Sequence, residues 1–174
     1  DVKTQLGVLK NKISVFLLMD VLEHIENDRA FLEDLVGQLP VGGKILITVP
    51  ARKALWSQHD VTAHHHRRYE LDEFRNLWAG MDVKPVCVSY FNSRLYPLIR
   101  FFRFLGRRLK FTWGKNKTDF VVPPEIINRL LIAVFAGEAK RILAALKNPA
   151  SKPFAVGVSL IAVLEKTEKK SKQE

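Results

Sequence analysis

The chain has 174 residues, 47% of them hydrophobic, which suits one domain with a substantial core, is short for two, and excludes intrinsic disorder. Lys and Arg outnumber Asp and Glu by 28 to 18, a formal charge of +10 that points to anionic partners: nucleic acid, phosphates or an acidic membrane surface. One cysteine, Cys87, excludes an intramolecular disulfide and a CxxC zinc or redox pair, so a reducing, cytoplasmic setting is expected. No apolar run approaches the roughly 20 residues that cross a bilayer, and Asp1 to Lys12 lacks a signal-peptide core, so neither a membrane span nor secretion is expected.

Ile13 to Met19 reads ISVFLLM, a strand-length apolar run of the kind covered on both faces in a parallel sheet, and it ends at Asp20. Asn27 can cap a helix whose inward positions are Phe31, Leu32, Leu35, Val36 and Leu39; Pro40 stops it and Gly42-Gly43 makes the turn. Lys44 to Val49 follows as a second strand, closed by Pro50. These pieces form a βαβ unit, whose crossover sets both strands parallel with their carboxyl ends on one edge. Open α/β sheets hold their ligands at that edge.

The polar stretch Ala51 to Glu70 is too long for a simple connection and reads as a functional loop. Leu71, Phe74, Leu77 and Trp78 form the inward stripe of a short helix ended by Gly80, and Val83 to Tyr90 is a third strand. A helical insertion at about 92–150 contains two segments, 97–111 and Ile127 to Leu146, before a last strand from Ala155 to Leu164. The expected organisation is one domain over 1–165 and a basic, frayed tail over 166–174.

The runs FLLMDVLEHIEND, LVGQLPVGGKILITVPA and WSQHDVTAHHHRRYELDEF resemble class I S-adenosylmethionine-dependent methyltransferases. More narrowly, they look like a bacterial group (type 11/12-like) with D-V-L-E-H after strand four and H-R-R-Y after strand five. The likeness is close from Ile13 to about Tyr90 and loose beyond. It implies a Rossmann-like α/β sheet of seven strands, the last antiparallel and inserted beside the fifth, of which this chain carries strands four to seven. It also implies S-adenosylmethionine as cofactor. Family members hold that cofactor on a Gly-rich turn after strand one and an acidic residue after strand two, and no two of the nine glycines here stand as G-x-G. The chain therefore reads as the carboxyl-terminal part of a methyltransferase, with weak or absent cofactor binding of its own.

Two clusters carry candidate chemistry. Asp20, Glu23 and His24, at the end of the first strand, sit at the mouth of the expected cleft. The resemblance implies that the main chain of Met19, Asp20 and Val21 flanks the methyl donor. A carboxylate or imidazole there, Asp20 or His24, can take the acceptor's proton as general base. The same spacing resembles the carboxylate-carboxylate-histidine cluster that binds a divalent metal in quinone-pathway O-methyltransferases; the reading adopted assigns no metal. Alternatively, Asp20 only caps a turn, and Glu23 and His24 pair with basic neighbours.

The second cluster is His59, Asp60, His64, His65, His66, Arg67, Arg68 and Tyr69. His59, His64, Arg67, Arg68 and Tyr69 are the candidates for gripping a phosphate or carboxylate on the acceptor. Three adjacent histidines cannot all face inward on an extended loop, so His65 or His66 is expected in solvent. The competing reading has Arg68 and Tyr69 simply tying the loop to the next helix. Trp56 fits either a lid or ordinary packing.

From Val83 to Thr118 there is no Asp or Glu against nine Lys and Arg, which localises the excess charge. In segment 97–111, Leu98, Phe101, Phe102, Leu105 and Leu109 share one face and Arg100, Arg103, Arg107 and Lys110 another. This fits a helix lying on an anionic membrane surface, making the protein peripheral and its acceptor small or lipid-linked. An amphipathic helix packed on the sheet has the same periodicity. Two other functions remain: a non-catalytic remnant or partner subunit without cofactor, and an RNA-modifying or RNA-binding protein. The latter is less favoured, because the Phe residues do not interleave with the basic ones as a stacking platform requires. An open edge on the first strand also calls for an oligomer or other chain to cover it.

Overall fold

The computed structural model describes residues 13–109, 124–148 and 154–169. Expectations for Asp1 to Lys12, for 110–123 and for the end of the basic tail lie outside these. β1 (Val15–Met19), α1 (Asp28–Gln38) and β2 (Lys44–Pro50) form the anticipated unit, with β1 and β2 paired in parallel from Val15 opposite Lys44 to Met19 opposite Thr48. Asn27 caps α1 by accepting the Ala30 N–H at 3.3 Å. Gly42 takes a left-handed φ of +83° in the turn into β2, a conformation that disfavours any residue with a Cβ.

After the loop come α2 (Gln58–Thr62), α3 (Leu71–Asn76), β3 (Val83–Phe91), α4 (Tyr96–Leu109), α5 (Glu125–Lys147) and β4 (Ser159–Lys166). The sheet order is β1-β2-β4-β3, with β4 antiparallel to both neighbours. That is the arrangement the resemblance implies for strands four to seven, and the described residues have a mixed α/β fold. β4 starts later than the sequence suggests, at Ser159, and just before it Gly157 passes so close to β3 that a Cβ there would collide with the Phe91 carbonyl.

Leu22, Leu32, Ile45, Ile47, Val49, Phe74, Leu160 and Leu164 are wholly buried and form the core. Each such side chain contributes about 1.5–3 kcal/mol relative to exposure. β1 departs from expectation. Val15, Leu17 and Met19 are 51%, 63% and 61% exposed, so one face of this strand is uncovered among the described residues. The carboxyl ends of β1, β2 and β3 meet the start of β4 on one edge, Pro50 and Phe91 both pairing with Ser159. The chain leaving β3 therefore enters α4 beside the loop leaving β2. Glu138 on α5 secures that exit by accepting the Ser93 and Arg94 N–H groups at 3.1 and 2.8 Å.

Candidate functional site

The end of β1 is tied to β2 before it turns. Asp20 has a positive φ of 52°; its N–H donates to the Thr48 carbonyl and hydroxyl, each at 3.0 Å, and Thr48 Oγ1 donates to Asp20 Oδ1 at 3.3 Å. Met19 and Asp20 are exposed and Val21 half-buried. A single 3-10 turn, Leu22–His24, then sends Leu22 and Glu23 inward and leaves His24 exposed.

Glu23 is wholly buried, yet neither carboxylate oxygen has a hydrogen-bond partner among the described residues. Loss of hydration pushes its carboxyl up to about 7; the Asp20 charge adds to this, while its own main-chain N–H and the Arg68 guanidinium offset part. An unmet buried polar group costs about 1–3 kcal/mol, more when charged. The corner therefore holds a group whose needs the fold leaves unmet.

The loop after β2 is not extended. Arg52, at a φ of 65°, donates its N–H to the Tyr69 carbonyl at 2.9 Å, and the Tyr69 N–H donates to Pro50 at 3.0 Å, so the loop closes on its own base. Inside it, Ser57 and Asp60 form a reciprocal capping box for α2. Asp60 is wholly buried and gathers the loop: it accepts Arg68 Nε at 2.7 Å, Ser57 N at 2.8 Å and His65 Nδ1 at 3.0 Å. Burial alone would raise the Asp60 carboxyl, but Arg68, His65 and Ser57 overcome it and hold the group below its ordinary range.

His65 is accordingly turned inward, and His64 and His66 are exposed, so of the two histidines expected in solvent it is His66 that lies there. Burial keeps His65 from charging, lowering its pKa despite the Asp60 contact. The two clusters meet here. The His66 N–H donates to the Glu23 carbonyl at 2.8 Å, and the His24 and His65 rings pack edge to face with centroids 4.8 Å apart. The His59 ring lies 6.1 Å from His65.

Other candidates have structural partners instead. Tyr69 Oη donates to Asp28 Oδ2 at 2.7 Å, and burial drives its phenol far above the ordinary range. Arg67 reaches the same Asp28 oxygen at 2.9 Å and the Glu26 carbonyl at 2.7 Å, tying the loop to the start of α1. Arg68, 4% exposed, is held by Asp60 and by the Ala51 carbonyl at 3.1 Å. His64 points to solvent. Arg67 and Tyr69, expected to grip an acceptor, thus also tie the loop to the start of α1, and Arg68 ties it to its own base.

A cationic cavity that the sequence did not disclose lies alongside. It encloses about 370 Å³ between the loop and α4, lined by Arg52, Leu55, Tyr96, Arg100, Arg103 and Phe104. The Arg52 guanidinium carbon lies 4.7 Å from the Tyr90 ring centroid and 5.8 Å from that of Tyr96, which orients the fork. Arg103 Nη1 lies 3.7 Å from Asp60 Oδ2, linking the cavity to the buried carboxylate. Glu70 on the rim, 3.9 Å from Arg52, offsets part of the positive charge.

Neither a family profile nor a curated protein sequence matches the chain. Solved structures do. A SAM-dependent methyltransferase from Archaeoglobus fulgidus is 16% identical, over 95% of this chain and 65% of that one, with a TM-score of 0.46. The plantazolicin methyltransferase BamL, solved with a triazolic desmethylPZN analog and SAH, is 13% identical over 97% of this chain and 58% of its own, TM-score 0.47. Phosphoethanolamine N-methyltransferase 2 from Haemonchus contortus is 13% identical over 89% and 33%, TM-score 0.44. The chain is similar to methyltransferases of this kind, and spans between a third and two thirds of the length of these three.

Proposed function

We propose that this chain supplies the acceptor side of an S-adenosylmethionine-dependent methyl-transfer unit. The reading rests on one observation: the acidic-histidine corner after β1 and the imidazole-guanidinium loop after β2 join at a single edge, through the His66 N–H to Glu23 carbonyl bond at 2.8 Å. In a sheet of this order that edge is the ligand edge. The main chain of Met19, Asp20 and Val21 flanks the methyl donor, and His24, exposed beside it, is the group free to take the acceptor's proton. Asp20, committed to Thr48, shapes the corner rather than shuttling protons.

The acceptor carries an anionic group, recognised by Arg52, Arg100 and Arg103 in the cationic cavity. Access from an anionic membrane surface fits α4, whose Leu98, Phe101 and Phe104 are 53%, 57% and 57% exposed. Among the described residues, no helix is long and apolar enough to cross a membrane.

The test is an amide-resolved NMR titration with S-adenosylhomocysteine. Progressive shifts confined to Met19, Asp20, Val21 and their neighbours are expected, even at weak affinity. Shifts scattered elsewhere, or none, would overturn the cofactor assignment. Co-sedimentation separates the membrane part: binding to phosphatidylserine vesicles should be lost in Phe101→Glu, and equal retention by that variant contradicts interfacial docking.

A further inference from the structure

We infer that the cationic cavity beside α4 takes a phosphomonoester carried on an apolar chain, in preference to a carboxylate or a phosphodiester. This names the class of the anionic acceptor and rests on that part of the reading above, although binding itself needs no methyl transfer.

The charge balance calls for a dianion. Four guanidinium groups converge between the loop and α4: Arg52, Arg100 and Arg103 line the cavity, and the buried Arg68 lies behind it, sharing Asp60 with Arg103. Against them stand two carboxylates, Asp60 and Glu70, so two positive charges are left over. Lys53 on the same loop is paired with Glu73 and does not alter that balance. A phosphomonoester brings a charge of about −1.5 to −2 at pH 7 and three terminal oxygens, where a carboxylate or a phosphodiester brings about one charge and two oxygens. The donors are also in place. Arg52 Nε is buried and has no hydrogen-bond partner among the described residues, and the Tyr90 and Tyr96 rings hold its guanidinium plane. An unmet donor in a fixed plane gains a full hydrogen bond when an oxyanion arrives and gives up little side-chain freedom.

The rest of the cavity is built for an apolar group. Its 370 Å³ falls at the lower end of the roughly 300–1,000 Å³ that ligand pockets enclose, and Leu55, Tyr96 and Phe104 supply its hydrophobic wall. Phe104 belongs to two surfaces at once, lining the cavity while remaining exposed on α4. Phe101 and Leu98, also exposed, continue from it at three-residue spacing along the helix. Arg100 and Arg103 keep the same spacing one residue before Phe101 and Phe104. The helix thus carries two adjoining rows, guanidinium groups for a phosphate and rings for the chain that leads away from it.

The test is calorimetric titration of the whole chain with hexyl phosphate, inorganic phosphate and hexanoate. Hexyl phosphate should bind at one site, at least about tenfold more tightly than either of the others. Arg52→Gln, and Arg100→Gln at an exposed position that leaves the core intact, should each weaken it by about tenfold or more. Arg129→Gln, in the exposed pair with Glu125 on α5, should leave it unchanged. Retention of the chain by phosphatidic acid vesicles would place the ligand in a membrane, and hexyl phosphate binding without such retention would make it a soluble compound; both outcomes uphold the class. Hexanoate or inorganic phosphate binding as tightly as hexyl phosphate, or indifference to both cavity variants, would each overturn it. Should that happen while S-adenosylhomocysteine still shifts Met19, Asp20 and Val21, the ligand class falls and the methyl-transfer reading stands.

Discussion

Replacing Asp60 by Asn tests the anchor on which the loop depends. Asp60 is wholly buried and accepts from Arg68, His65 and Ser57, while Arg68, 4% exposed, keeps only the Ala51 carbonyl once the charge is gone. Removing one member of a buried ion pair costs about 3–5 kcal/mol; Asn keeps one acceptor oxygen, so the lower end, about 3 kcal/mol, applies. That is a large part of a typical domain's 5–15 kcal/mol. Urea unfolding followed by circular dichroism at pH 7 measures it, with the variant's slope unchanged. The sign with pH is fixed. The folded carboxyl sits below its ordinary value of 3.8, so its stabilisation is present above that pH and drains away as pH falls through the folded value. Wild type and Asp60→Asn should converge in strong acid. A loss under about 1 kcal/mol at neutral pH, or the same loss in an Arg68→Met background, would refute the coupling.

Glu23 has the opposite sign: its folded carboxyl titrates at about 7 against an ordinary 4.5, so the folded state holds the proton longer and stability declines as pH rises between those values. The decline is about 3 kcal/mol at full extent, and in chelated buffer Glu23→Gln should flatten it; parallel pH profiles would contradict it. Phe74→Ala, at a fully buried site in the aromatic contact with Trp78 and Tyr69, should cost about 3–5 kcal/mol by chemical unfolding. Glu138→Ala strands the Ser93 and Arg94 N–H groups and should cost about 1–3 kcal/mol, with faster amide exchange at those two positions.

Much of the fold was legible because its signals are local. Asn27 as cap, Gly42 as left-handed turn and the apolar runs around Leu17 and Ile47 each fix an element within a few neighbours. Exposure of Val15, Leu17 and Met19 was not legible, since an apolar run shows what a strand can bury and not whether cover is present. The inward turn of His65 depends on Asp60 and on the short helix between Gln58 and Thr62. The sequence carried a signal for that helix, the Ser57-x-x-Asp60 capping pattern, beneath a loop that reads as merely polar. No local pattern could disclose the cationic cavity, because Arg52 and Arg100 are brought together only by the shared edge of β2 and β3.

A two-dimensional NOE spectrum of the chain with ring-labelled histidine reads the shared crevice directly. Ring centroids 4.8 Å apart predict a cross-peak between the His24 and His65 imidazole protons. A well-dispersed spectrum of the folded protein in which that cross-peak is missing would place the two loops apart, and with them the common site.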